Sequence, residues 1–182
     1  GRRTLCLKEI DLRNTKIRII PYGCFYRSSI ERIYLPETLE VIGLYAFAES
    51  KLKEIILHPN CKLNKIESNA FNKCQISKFD FKEGLIEIGN SAFDSCLLRT
   101  ISFPSTLQRI GCNCFEYNTN LINVEFPENS ELSIIDSNAF RHTKLSKFVL
   151  PKNLRYIDNP FRNELSNVLT IYYHPSQYSN NR

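Results

Sequence analysis

The stretches LIEIGNSAF at residues 85–93 and LQRIGCNCF at residues 107–115 are two copies of one phrase, and their spacing decides the fold. Leu85, Ile88 and Phe93 recur as Leu107, Ile110 and Phe115. The same Leu-x2-Ile-x4-Phe pattern stands at Leu39–Ile42–Phe47, Leu63–Ile66–Phe71 and Leu132–Ile135–Phe140. Ile17, Ile20 and Phe25 form a near copy at the front. Leu154, Ile157 and Phe161 form a copy one residue shorter, containing Pro160. The seven phenylalanines are separated by 22, 24, 22, 22, 25 and 21 residues. Self-similarity at such a period predicts a solenoid, in which no unit buries its own apolar residues and stacked neighbours build one core.

Each unit carries a second apolar set. The triplets Ile33-Tyr34-Leu35, Ile55-Ile56-Leu57, Phe79-Asp80-Phe81, Ile101-Ser102-Phe103, Val124-Glu125-Phe126 and Phe148-Val149-Leu150 have apolar outer members and variable centres. A period of two marks a half-buried strand. Pro36, Pro104, Pro127 and Pro151 end four of these strands, because proline cannot continue a ladder. Ile10-Asp11-Leu12 reads as one more strand in front, and Leu169-Thr170-Ile171 as one behind.

Each unit thus reads as a strand, a proline turn, a short extended Leu-x2-Ile segment, and a short helical or 3-10 turn carrying the phenylalanine. Small residues precede that phenylalanine: Ala46, Ala70, Ala92 and Ala139, with Cys24 and Cys114 expected in the core in the same slot. Gly43, Gly89 and Gly111 follow the isoleucine, where a turn with positive φ is expected; Asp136 and Asp158 stand there in other units. At about 4.8 Å per strand, some eight units give a body roughly 35–40 Å long.

The pattern resembles the BspA-type leucine-rich repeat family over about residues 5–173, most closely at 107–115 and at Ser91-Ala92-Phe93-Asp94-Ser95-Cys96. The asparagine-containing signature of ordinary leucine-rich repeats is absent. The expected fold is a right-handed leucine-rich repeat solenoid of about seven to eight repeats of 21–25 residues, forming a single domain over 1–182. Its N-terminal cap would cover about 1–12, its repeats about 13–161, and a capping repeat and tail 162–182. Leu5, Leu7, Ile10 and Leu12 would close one end of the core; Tyr172, Tyr173 and Tyr178 would pack over the other, or His174–Arg182 would fray. The resemblance implies a surface or secreted recognition or adhesion module.

Composition bounds the alternatives. The chain has 182 residues, 42% hydrophobic and 24% charged, enough for one core. No apolar run reaches about 18 residues, so no membrane insertion is expected within this chain. It lacks methionine and begins Gly1-Arg2-Arg3, which reads as a mature form, a processed piece or a segment of something longer. The net charge of +5 is spread along the repeats, whereas a nucleic-acid reader concentrates its basic residues.

Seven cysteines stand at 6, 24, 61, 74, 96, 112 and 114. Cys74 and Cys96, each three residues after a phenylalanine, should be stacked neighbours. They are either close to disulfide reach or fillers of a small buried slot. Cys112-x-Cys114 is half a metal site without a second pair, so no cofactor or metal is expected. An odd count favours free thiols and a reducing compartment. With 18 asparagines and 24 serines plus threonines, about two glycosylation sequons would arise by chance; none is present. The lack of sequons suits a cytoplasmic or bacterial chain, or a eukaryotic one that avoids glycans, and pulls against the surface role that the resemblance implies.

His58, His142 and His174 fall at different places in the repeat and do not converge, Glu37 and Glu40 read as solvated turn residues, and no phosphate loop or nucleophile elbow occurs. The expectation is a protein without enzymatic activity. What remains is the outward face of the strand stack. One column comprises Tyr34, Ile56, Asp80, Ser102, Glu125 and Val149; the other comprises Arg32, Glu54, Lys78, Thr100, Asn123 and Lys147. Thr170 and Tyr172 extend the face. Tyr34 and Ile56 are expected to be adjacent and exposed beside Arg32 and Glu54, an anchor for a protein partner. The other roles open to such a face are an intracellular scaffold or regulatory subunit, and a structural element of a larger assembly.

Overall fold

A computed structural model describes residues 7–161 and 170–172. In chain order its strands are β1 (Glu9–Asp11), β2 (Ile19–Ile20), β3 (Arg32–Leu35), β4 (Val41–Ile42), β5 (Glu54–Leu57), β6 (Lys65–Ile66) and β7 (Glu87–Ile88). Then follow β8 (Thr100–Ser102), β9 (Arg109–Ile110), β10 (Asn123–Glu125), β11 (Ile134–Ile135), β12 (Lys147–Val149), β13 (Tyr156–Ile157) and β14 (Thr170–Tyr172). All pair in parallel with the same element of a neighbouring repeat, which is the solenoid that the 22-residue period predicts. Leu5, Cys6, Leu169, Tyr173 and the segment 174–182 lie outside the described residues.

The Leu-x2-Ile segments build the longer sheet. Seven strands run unbroken in the order β13-β11-β9-β7-β6-β4-β2. In six of them one residue is buried: Ile20, Ile42, Ile66, Ile88, Ile110 and Ile135 are at most 2% exposed, whereas both residues of β13, at the end of the sheet, are exposed. The triplets build the other ladder, termed the first because its strands open each repeat, and this one is interrupted. It falls into β1-β3-β5, β8-β10 and β12-β14. Phe79-Asp80-Phe81, expected as a strand, is extended chain without ladder bonds. Both breaks follow the two longest units, those of 24 and 25 residues. Each carries two extra residues between its strand and the next leucine, in the turns around 58–61 and 127–130, and each such strand lacks a downstream partner.

The third side is a ladder of turns. Phe47 N–H donates to the carbonyl of Ala70 and Phe71 N–H to that of Ala92, both at 2.8 Å; Phe93 and Phe115 repeat the bond to Cys114 and Ala139. The turn expected as helical or 3-10 consists of successive turns with 3-10-type spacing, the N–H of Ala46 donating to the Gly43 carbonyl and that of Ala48 to Tyr45, and no helix occurs among the described residues. Two residues per turn adopt positive φ. One is two positions before the phenylalanine (Tyr45, Asn69, Ser91, Asn113, Asn138); the other is two after it (Glu49, Lys73, Ser95, Tyr117, His142). Gly43, Gly89 and Gly111 do not have positive φ, contrary to the expectation. Their reason is close approach: a Cβ on Gly89 would lie 2.6 Å from the Ser68 nitrogen, and one on Gly43 2.6 Å from the Ile20 oxygen.

The phenylalanines fill the centre. Phe47, Phe71, Phe93, Phe115 and Phe140 are 0% exposed. Consecutive rings stack at 5.0–5.4 Å from Phe25 to Phe140, close to the strand spacing, and Phe161 stacks on Phe140 at 6.1 Å. Phe79, Phe81, Phe103 and Phe148 pack against this column from the side of the triplets. Burial of each such ring contributes about 1.5–3 kcal/mol. At the N-terminal end Ile10 and Leu12 pack against the core, but Leu7, expected to help close it, is exposed. Cys24, expected in the core, is exposed as well, because its unit is the first of the turn ladder.

Candidate functional site

The first ladder carries the expected outward columns, in three separate patches. In β1-β3-β5 the registers Glu9–Arg32–Glu54 and Asp11–Tyr34–Ile56 align. Glu9 and Asp11 were not among the expected site residues, although the alternation of Ile10-Asp11-Leu12 extends both columns to them. Arg32 bridges its neighbours, with Nε 2.7 Å from Glu54 Oε2 and Nη1 3.3 Å from Glu9 Oε2. The Glu54 hydrogen bond raises the pKa of Arg32, and Arg32 lowers that of Glu54. Beside this column Glu31 receives Lys53 at 2.9 Å and Lys8 at 3.0 Å.

Tyr34 is half-buried, not exposed as expected. The Arg13 guanidinium lies 4.5 Å from its ring centroid, a cation–π contact, and is anchored to Asp11 at 2.6 Å. Hydrogen bonds from Arg13 hold the Asp11 carboxyl down at about 2. Ile56 remains exposed, at 36%. It lines two clefts. One, of about 270 Å³, opens toward Ser77, Lys78 and Asp80 where the ladder breaks; the other, of about 540 Å³, is shared with Arg13, His58 and Pro59.

The second patch is polar. Thr100 is in register with Asn123, and Ser102 with Glu125. Asn123 Nδ2 donates to Glu125 Oε1 at 2.8 Å. Lys78 and Asp80 sit in the break before this patch, with Asp80 paired to Lys82. The third patch places Lys147 in register with Thr170 and Val149 with Tyr172; Val149 is 40% exposed. The twelve residues therefore share one side of the solenoid but not one continuous sheet. The arrangement presents an aliphatic side chain framed by charge pairs.

Four of the described cysteines, Cys61, Cys74, Cys96 and Cys114, belong to the core. Cys24, Cys61, Cys74, Cys96, Cys112 and Cys114 are free. The Cys74 thiol donates to the Phe47 carbonyl at 3.0 Å and the Cys96 thiol to the Phe71 carbonyl at 3.2 Å, which makes them fillers of one buried slot. Burial pushes Cys74 up to about 11 and Cys96 and Cys114 well above the ordinary thiol value. Ser137 donates to Cys112, and the described residues hold no group of three potential metal ligands. His58 accepts from the Asn60 amide, and His142 stacks on Tyr117 at 4.5 Å. No described helix is long and apolar enough to cross a membrane.

The chain belongs to the BspA-type leucine-rich repeat family, whose repeat region matches residues 3–96 and 59–168 in six copies. Among curated proteins none matches it. Similar solved structures include a leucine-rich repeat protein of Bacteroides ovatus, with TM-score 0.62 and 24% identity, covering 91% of this chain and 51% of that one. A leucine-rich cell surface protein of Faecalibacterium prausnitzii is similar with TM-score 0.59 and 20% identity, over 91% of this chain and 47% of that one. The pneumococcal vaccine antigen PcpA is similar with TM-score 0.55 and 22% identity, over 94% and 41%. The chain spans about half of these structures or less, and at such identities the likeness concerns the fold.

Proposed function

We propose that this BspA-type repeat chain is a non-enzymatic binding module that docks a protein partner on its first ladder, at a cell surface or in secreted form. The observation that carries this reading is Ile56: an exposed aliphatic side chain, in register with Tyr34, flanked by two clefts and framed by the Arg32–Glu54 pair. An apolar anchor surrounded by polar groups is the usual composition of an interface centre. The surface assignment draws on the cell surface protein and the vaccine antigen with the same fold. The remaining outward residues, Lys78, Asp80, Thr100, Ser102, Asn123, Glu125, Lys147 and Val149, would extend the contact along the same side.

A second location has its own support. Six free cysteines and the absence of any sequon favour an intracellular scaffold or regulatory subunit using the same face. One capture experiment separates the two. The folded chain is presented to cell-surface and matrix proteins and, in parallel, to lysate, with the Tyr34→Asp/Ile56→Asp variant as control. Variant-sensitive capture from the surface pool supports the recognition role. Variant-sensitive capture from lysate alone moves the protein inside the cell, and capture that survives the double substitution rejects the face.

A further inference from the structure

We propose that the turn side of the first two repeats holds a binding site for a neutral sugar ring. Tyr22, Tyr26 and Tyr45, with Gly23 among them, line a cleft of about 450 Å³. The three rings are exposed to 72%, 43% and 38%. Tyr22 and Tyr45 stand at 74° to each other with centroids 6.2 Å apart, so the cleft has two aromatic walls set nearly at right angles. Gly23 adopts a φ of +57°, and a Cβ there would meet only the Tyr26 Cβ, at 3.9 Å. The space between the rings is open.

The repeat itself does not call for these rings. In later units the position of Tyr22 holds Leu44, Ser68, Asn90, Cys112 or Ser137, and that of Tyr45 holds Asn69, Ser91, Asn113 or Asn138, with no second aromatic ring at either. The position of Tyr26 holds Ala48, Asn72, Asp94, Glu116 or Arg141. The same turns close with the same backbone bonds in those units. Tyr45 also sits at φ +55°, a region that suits asparagine far better than an aromatic residue. Three tyrosines gathered against the preference of the scaffold indicate a use outside folding.

The surrounding charges select the ligand class. Tyr26 Oη lies 3.4 Å from Glu49 Oε1, and Arg27 Nε lies 2.7 Å from Glu49 Oε2. The Arg27 guanidinium also covers the Tyr26 ring at 4.9 Å. The carboxylate is therefore compensated and one ring face already carries a cation. An organic ammonium would find no net negative charge here, although aromatic walls alone would suit it. A free anion would have to compete with Glu49 for Arg27. A pyranose has what remains: C–H faces to lie on the rings, and hydroxyls to meet the phenol groups and the Glu49–Arg27 pair.

The test is a glycan array probed with the chain tetramerised on streptavidin through a terminal biotin. Alongside it runs the Tyr22→Ser/Tyr45→Asn variant, whose new residues are those of equivalent positions in other repeats. The expected result is a defined subset of glycans bound by the native chain and at least a tenfold loss in the variant. Thermal unfolding should be unchanged, as should protein capture by the first ladder, so this site and the docking face fail independently. Tyr22→Ser alone, at the most exposed ring, serves if the double variant unfolds. No glycan bound, equal binding by a folded variant, or displacement by tetramethylammonium chloride at a lower concentration than by the free sugar would overturn the proposal.

Discussion

The side-chain amide of Asn118 donates to the carbonyl oxygen of Phe93 at 2.7 Å, the bond that Cys96 makes to Phe71 one repeat earlier. Asn118 also donates to the Phe115 carbonyl at 3.0 Å and accepts from the Leu98 amide at 3.2 Å, while being 0% exposed. Removing it orphans buried backbone groups, at about 1–3 kcal/mol each. Asn118→Leu should therefore destabilise the chain more than Asn118→Cys, which copies the filler of the two preceding units. Denaturant midpoints for the two variants check this, and equal losses would contradict it.

The stacked core makes two further substitutions costly for different reasons. Phe93→Ala removes a ring stacked on both Phe71 and Phe115 and should cost about 3–5 kcal/mol. Gly89→Ala adds a single methyl group, which would lie 2.6 Å from the Ser68 backbone nitrogen and force two repeats apart. A loss of about 1–3 kcal/mol is expected there. Equilibrium unfolding measures both; a neutral Gly89→Ala would mean that the repeats are not in the close contact described.

Thiol reactivity follows burial. Cys24 is exposed and Cys112 is half-exposed, whereas Cys61, Cys74, Cys96 and Cys114 are buried with raised pKa values. Peptide-resolved iodoacetamide labelling at pH 8 should mark Cys24 first, then Cys112, and reach the other four only on unfolding. Rapid labelling of Cys74 or Cys96 in the folded chain would be inconsistent with the filled slot.

Acid should loosen the N-terminal part of the first ladder. Hydrogen bonds from Arg13 lower Asp11 from 3.8 to about 2, and those from Lys53 and then Lys8 lower Glu31 from 4.5 to about 2. Both carboxyls bind protons less readily in the folded state than in the unfolded one. Their contribution is present above the unfolded values and is lost as pH falls from about 4.5 through about 2. Asp94 acts in the opposite sense: burial raises its pKa, so its penalty is relieved as pH falls. A thermal-midpoint series from pH 7 to 2 should show an acid limb that flattens in Arg13→Ala/Lys53→Ala. An unchanged limb in that variant would place the acid sensitivity elsewhere.

The phenylalanine column was legible in the sequence because each ring stacks on its own equivalent, so a one-dimensional period maps onto a three-dimensional contact. The alternation of the triplets likewise gave the outward columns. The breaks in the first ladder were not visible in that alternation, since Phe79-Asp80-Phe81 has the same pattern as its neighbours. They were recorded instead in the lengths of the two units before the breaks. Gly43, Gly89 and Gly111 were misread because the constraint on them comes from the adjoining repeat and not from their own turn. The half-burial of Tyr34 depends on where the long side chain of Arg13 settles, two residues beyond the β1 strand, and no residue pattern specifies that.

The most direct measurement is the affinity of the captured partner for two variants side by side. One is Tyr34→Asp/Ile56→Asp on the first ladder; the other is Lys65→Ala, which removes its half-exposed ion pair to Glu87 from the seven-stranded sheet. The docking face on the first ladder predicts at least a tenfold loss for the former and native affinity for the latter. Native affinity for the former together with a loss for the latter would contradict it and place the partner on the longer sheet.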